Sequence, residues 1–383
     1  MRIVHVIPAL TKGGAEKVLV DLANEAQRRG HAVSVVAGLP ADPRLIRDRL
    51  DPAIALEIVG QRDSGKFTAY AALPVWLWRR RVLFDQADVV HCHLTYAAVL
   101  GTWLKWQRTL RGKTGPAIVE TFHGVGMPIR ARQRWLAATL ARGRDGFALM
   151  AEDAFWTQFL QRHSDLPGAV IPNGLALDQS ASVAAARAWR ADQGIPVGAP
   201  VIGTIGRLRA ERNPLATLAA FAEVARAMPQ AHFIIGGDGP MTDAVRAEAD
   251  RLSIGARLHL PGLVLDPLVV LANIDMYLSM NVGPITGIAG LEAAAAGVPM
   301  IAVQARADYA RASGDWIWSD ADPAKVGAEL IRLMQSSAER AALAQRQQSH
   351  VAAQFSIAAA QVAYEALYVR AIAHARDQSS PSK

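Results

Sequence analysis

Arg207 and Arg212 stand five residues apart in GTIGRLRAERNP, a stretch that leaves a β-rich run. Two planar guanidinium forks on one loop can meet the oxygens of a single phosphate group; the same pair also suits a solvated loop. Glu292 is the sole charge between Asp275 and Arg306, on the first turns of a helix opened by Gly283-Pro284-Ile285-Thr286-Gly287-Ile288. That loop can present the amides of Thr286, Gly287 and Ile288 to an anion. The Glu292 carboxylate is placed to accept from the hydroxyls of a ribose diol. Gly206, one residue before Arg207, and the turn Gly236-Gly237-Asp238-Gly239 allow close backbone approach. Near the N-terminus, Gly13 and Gly14 separate a strand from a helix, which fits either an anion at the helix start or a tight turn. No dinucleotide fingerprint is present, because G-x-G-x-x-G is absent there.

Histidines supply the other candidates. His91-Cys92-His93 ends one predicted strand, and His123, followed by Gly124, ends another. H-x-H spacing can hold a metal, yet strand alternation sends Cys92 to the face opposite the histidines and no carboxylates accompany them. No metal is therefore expected. His123 is placed to reach a ligand on the acceptor side, and His93 either joins it or is packed. Asp320-Ala321-Asp322, the one D-x-D, reads as helix capping. Three segments interleave tryptophan and leucine with basic residues: 74–84, which holds Trp76, Trp78, Arg79, Arg80 and Arg81, then 103–113 and 130–144. Helices of this composition lie on anionic membrane surfaces; the alternative is a solvated basic face with its tryptophans turned inward.

These residues need a scaffold. The chain has 383 residues, 51% hydrophobic and 20% charged, with a single cysteine, Cys92. That excludes disorder, a disulfide framework and a multi-cysteine zinc site, and it suits a reducing cytoplasm. No apolar run long enough to cross a membrane lacks a charge. Residues 1–190 carry 25 Lys and Arg against 16 Asp and Glu, and the remainder 16 against 18, so the whole excess of the +7 net charge lies in the first half. Short apolar runs alternate with Ala-, Arg- and Leu-rich stretches of helical period, the pattern of parallel α/β domains. Strands are expected near 2–8, 32–37, 87–92, 117–122, 147–151 and 168–172, and again near 200–205, 232–236, 257–260, 275–279, 299–303 and 315–318. Residues 323–376 read as helices without a strand. Continuous apolar strands imply sheets covered on both faces. The expectation is two doubly wound, Rossmann-like domains facing a cleft, with sites at the carboxyl ends of their strands. The boundaries expected are 1–175, a connection at 176–199, 200–355, a crossing helix at 356–376 and a tail at 377–383.

Together the chain resembles the family 4 retaining glycosyltransferases of the glycosyltransferase-B fold, from residue 1 to about 370. The likeness is carried by GGAEKVLVDLANEAQRRGHAVSVV, DVVHCHLTYA, VETFHG, VIPNG, GTIGRLRAERNP, FIIGGDGP, LHLPGLV and GLEAAAAGVPMIAV. The resemblance implies an acceptor-binding first domain, a second domain that binds a nucleotide-sugar donor, and a last helix that crosses back onto the first. Arg207 and Arg212 would clamp the donor diphosphate, Arg212 standing where the family usually has lysine. Glu292 would hold the ribose, Gly287 and Ile288 would meet phosphate, Gly13 and Gly14 would floor the cleft, and His123 would lie near the transferred sugar. Pro284 occupies the position, eight before Glu292, where the family signature carries another glutamate. The implied co-substrate is a nucleotide-diphosphate sugar, with no cofactor and no metal. The implied partners are a lipid-linked or cell-envelope glycan acceptor and the anionic inner face of the cytoplasmic membrane, without nucleic acid. A nucleotide-sugar epimerase and a catalytically weakened binding protein of the same fold are the alternatives.

Overall fold

The computed structural model describes residues 1–10, 13–39, 49–60, 75–111, 115–123, 131–176, 183–264, 266–280, 287–303, 317–319 and 321–378. Pro284 and Thr286 lie outside them. The chain divides into two compact units, Met1–Leu175 with Phe355–Lys383, and Ala176–Gln354. In the first, β1 (Arg2–Ala9), β2 (Ala32–Leu39), β3 (Ala55–Ile58), β4 (Val89–His93), β5 (Ala117–Phe122), β6 (Gly146–Leu149) and β7 (Gly168–Val170) form one sheet in the order β3-β2-β1-β4-β5-β6-β7. In the second, β8 (Val201–Ile205), β9 (His232–Gly236), β10 (Leu258–His259), β11 (Met276–Ser279), β12 (Met300–Val303) and β13 (Ile317–Ser319) are ordered β10-β9-β8-β11-β12-β13. All the strand pairs are parallel. Strand order reverses between β1 and β4 and between β8 and β11, the positions where doubly wound sheets place their sites.

One strand was not expected. β3 is an edge strand whose four residues are half-exposed or exposed, so it lacks the continuous apolar run that marks the others. The central strands of the first sheet are buried on both faces, as their sequences require. Val4, Val6, Val90, Cys92 and Ile118 pack with Leu77, Phe84 and Leu100 on one face. Ile3, Ile7, Val89 and Val119 pack on the other with Leu367, Tyr368 and Ala371. Those last three belong to the helix Ile357–Asp377, which Ser356 caps by accepting from the Ala359 amide at 3.3 Å. Gly146 lets this helix approach: a Cβ there would stand 3.0 Å from the Cβ of Ala371. The helix is clasped to the end of the helix Gly14–Arg28 by Arg29, whose Nε donates to Glu365 at 2.8 Å.

In the second unit, the helix Val183–Asp192 docks through Asn273, whose amide donates to the Ala186 carbonyl at 2.9 Å. Asp322 caps the helix Pro323–Met334, accepting from the Ala324 amide at 3.0 Å. That is a structural use of the D-x-D aspartate.

Candidate functional site

In the second unit the carboxyl ends of β8 and β9 are laced together. The Gly206 amide donates to the Gly236 carbonyl at 2.9 Å, and the Leu208 amide to the Asp238 carbonyl at 2.9 Å. Gly237 has φ +146°, and a Cβ on it would meet the Gly206 oxygen at 1.9 Å, so this turn admits no side chain. Gly206 is different, since a Cβ there would face open space. Packing does not explain that glycine; room for a ligand would. Arg207 follows directly and is exposed, and Arg212, also exposed, ends the short turn Ala210–Arg212.

Tyr277 on β11 ties the site to the sheet. Its hydroxyl donates to the Ile205 carbonyl at 3.0 Å and accepts from the Ile205 amide at 3.2 Å. Burial pushes this phenol up; the Arg212 guanidinium lowers it and the Glu292 carboxylate raises it. The Arg212 guanidinium and the Glu292 carboxylate are thus both within electrostatic reach of one buried hydroxyl near the switch point of the sheet. Glu292 is half-buried on the helix Ile288–Ala295, whose first turn carries no acid and whose cap, Gly287, is extended. The unpaired amides at that start favour an anion. The structure thus brings Gly206, Arg207, Arg212 and Glu292 to the carboxyl end of β8 and β11, with Gly287 and Ile288 opening the adjoining helix. Thr286 lies outside the described residues. Sequence reading missed Tyr277, because a tyrosine inside an apolar strand reads as core.

The first unit presents a buried polar cluster at the matching end of its sheet. Register places His5 opposite His91 and His93 opposite Thr121, all on the face covered by the last helix. His5 Nδ1 lies 3.2 Å from His93 Nε2, and His93 Nδ1 lies 3.1 Å from His123 Nε2. A second branch runs from the Tyr368 hydroxyl to His91 Nδ1 at 2.8 Å, from His91 Nε2 to Thr121 Oγ1 at 2.7 Å, and on to the Tyr364 hydroxyl at 3.0 Å. Burial holds His5 down at about 3 and His123 at about 4. His91 and His93 are also held well below the usual imidazole value, first by burial and then by neighbouring histidines. All four rings are neutral at neutral pH. Burial likewise raises Tyr364 to about 12, so it stays a phenol.

One expectation changes here. His93 does not face an acceptor: it is fully buried, spending both nitrogens on His5 and His123. His5, which no motif marked, joins the cluster because β1 and β4 are neighbours in the sheet. His5, His91 and His93 bring ring nitrogens within 4.8 Å of one another, a spacing open to a metal. Most of those nitrogens already have hydrogen-bond partners, the His5 Nε2 being the exception. His123 is half-buried at the end of β5. Gly13 caps the helix Gly14–Arg28 with an ordinary negative φ, so no backbone strain requires glycine at that position.

The basic, tryptophan-rich segments are split. Trp78, Trp106 and Trp135 are exposed by more than half, and Arg79, Arg80 and Arg81 are exposed as well. Arg81 stacks its guanidinium 5.6 Å from the Trp78 ring, and Arg80 pairs with Glu57 at 2.9 Å. Trp76 instead turns inward, edge-on to Phe84 at 6.1 Å, because its neighbours on that helical face are apolar. Among the described residues no helix is long and apolar enough to cross a membrane.

Comparison with known proteins supplies the rest. The family model for Glycosyltransferase Family 4 matches residues 12–179, and that for Glycosyl transferases group 1 matches residues 199–336, most of the chain between them. The alpha-monoglucosyldiacylglycerol synthase of Streptococcus pneumoniae is 28% identical over 115 residues, 30% of this chain but only 26% of that protein's length. Among solved structures, Anabaena HepE in complex with UDP and glucose superposes with a TM-score of 0.77 at 18% identity, covering 96% of this chain and 98% of that one. WaaG, a glycosyltransferase involved in lipopolysaccharide biosynthesis, superposes with a TM-score of 0.69 at 16% identity, covering 95% and 99%. At such identities these two speak for the fold, which is glycosyltransferase-B. With both halves matched in order, the chain belongs to the family 4, group 1 type of glycosyltransferases.

Proposed function

We propose that this chain moves a sugar from a nucleotide-diphosphate donor, with retention, to a lipid-linked or cell-envelope glycan acceptor at an anionic membrane surface. The observation that carries the donor side is the open space at Gly206 on the end of β8, with Arg207 and Arg212 exposed in the loop that follows it. Two guanidinium groups and the start of the helix Ile288–Ala295 offset charge that develops on a departing diphosphate. Glu292 accepts from the ribose hydroxyls. As the bond from the anomeric carbon to the diphosphate oxygen breaks, the bond to the acceptor oxygen forms, and the acceptor proton passes to the leaving diphosphate. No protein nucleophile is required on this route.

The acceptor side is supported by the exposed tryptophans and arginines of the first unit, each basic residue near an anionic bilayer contributing about 1 kcal/mol. The glycolipid named for the pneumococcal relative points the same way. The test is a panel of nucleotide sugars incubated with the chain and lipid extracts. Nucleoside diphosphate released together with a glycosylated lipid supports the reading. Interconversion of the free nucleotide sugars would make the chain an epimerase instead, and binding without turnover would make it a binding protein.

A further inference from the structure

The chain His5–His93–His123 has a direction. Each link joins two imidazole nitrogens and so contains one proton, and each neutral ring has one proton to give. Two arrangements are open. In the first, His5 Nδ1–H donates to His93 Nε2, and His93 Nδ1–H donates to His123 Nε2. In the second every proton sits on Nε2 and every bond runs the other way. The two differ at the buried end, where His5 Nε2 is enclosed without a hydrogen-bond partner. The first arrangement leaves only a lone pair there. The second buries an unpaired N–H, the rarer and costlier defect.

We infer that His5 and His93 are positioning residues, whose hydrogen-bond chain fixes His123 as the Nδ1–H form, a donor with its Nε2 lone pair already occupied. Resting on the transfer reaction proposed above, this states what His123 can do for a bound sugar. It gives a hydrogen bond to an oxygen lone pair, of a hydroxyl or a phosphate, and cannot take a proton from the acceptor. It also explains why His91 is a separate branch. Among the described residues the Tyr368 hydroxyl has one hydrogen-bond partner, His91 Nδ1 at 2.8 Å; a buried phenol spends its proton there, which leaves the His91 proton on Nε2, 2.7 Å from Thr121 Oγ1. The cluster therefore holds three rings of one tautomer and one of the other. The same occupied lone pairs leave little for a metal among these residues, although His5, His91 and His93 have the spacing.

The experiment is nitrogen-15 NMR of the full chain labelled at histidine, with signals assigned by single substitutions. The expected result is Nδ1–H for His5, His93 and His123, and Nε2–H for His91. His93→Phe should release His123 into a mixture of tautomers and lower kcat/KM for donor turnover about fivefold, the size of one lost hydrogen bond. His93→Asn, which returns an amide N–H at the Nδ1 position, should restore both. His123 found as Nε2–H in the unaltered chain overturns the inference, as does stoichiometric zinc bound through these rings. If the tautomers are as stated but His123→Ala turns over normally, the relay stands and the role of His123 in the proposed transfer is what fails.

Discussion

Arg207 illustrates how much rests on single side chains here. It is exposed, one residue beyond a glycine that packing does not require. A group that meets charge only as the diphosphate departs stabilises the transition state more than the bound donor. Arg207→Ala should then cut turnover by about 10²–10³, the usual loss for one such donor, with a smaller change in donor affinity. Steady-state kinetics with a purified donor decide this, and a variant as fast as the parent removes Arg207 from the diphosphate site. Glu292→Gln tests the partner role. An amide is a weaker acceptor for two hydroxyls than a carboxylate, so nucleotide affinity should fall in the variant. A 2′,3′-dideoxy nucleotide should bind parent and variant alike, and calorimetric titration reads both. Equal affinity of the parent for ribose and dideoxyribose forms would sink the assignment.

At the scale of elements, the helix Ile357–Asp377 covers the sheet face that carries the buried imidazoles of His5, His91 and His93, with His123 half-buried at the end of β5, and this has a consequence for acid stability. The histidines are neutral when folded, with His5 at about 3 and His123 at about 4. Unfolded, each would bind a proton near pH 6.5. The unfolded chain therefore binds more protons between about pH 4 and 6.5, and stability must rise with pH across that window. Stability should be complete above about pH 6.5 and decline as pH falls, by about 1.4 kcal/mol per unit for each histidine released. Denaturant unfolding at pH 5 and pH 7 checks it; equal free energies at the two would mean the cluster is open to water. Packing above the cluster is equally exacting. Leu367 is fully buried, so Leu367→Ala should cost about 2–5 kcal/mol, read from the shift in denaturation midpoint.

For the whole molecule, the chain leaves and re-enters the first unit side by side. The Leu175 amide donates to the Phe355 carbonyl at 2.7 Å, and the Ile357 amide donates back to Leu175 at 3.0 Å. Gly174, in the VIPNG stretch, makes room for this, since a Cβ on it would stand 2.7 Å from the Ile357 Cα. Backbone cannot retreat as a flexible side chain can, so Gly174→Ala should destabilise by about 1–3 kcal/mol, measured by thermal melting. The charge distribution carries the remaining expectation. Arg79, Arg80 and Arg81 lie exposed beside Trp78. If they meet lipid, the chain should float with anionic vesicles and be released by salt. Replacing all three by glutamate should abolish flotation while leaving donor affinity unchanged; flotation indifferent to lipid charge would assign the arginines to a solvated face.

Much of this was legible in the sequence because it is local. Apolar runs such as RIVHVIPA and HFIIG announce buried parallel strands. Alternation along β4 correctly turned Cys92 away from His91 and His93. What alternation cannot supply is the neighbour across the sheet. His5 meets His91 only because the strand order sets β1 beside β4, and Tyr364 and Tyr368 arrive from a helix near the far end of the chain. Tyr277 comes within the fields of Arg212 and Glu292 for the same reason. Trp76 and Trp78, two residues apart and alike on paper, part company because one helical face meets Phe84 and the other meets solvent. Residue type and period determine which face a side chain takes; which partners wait on that face is decided by the order in which distant strands and helices pack.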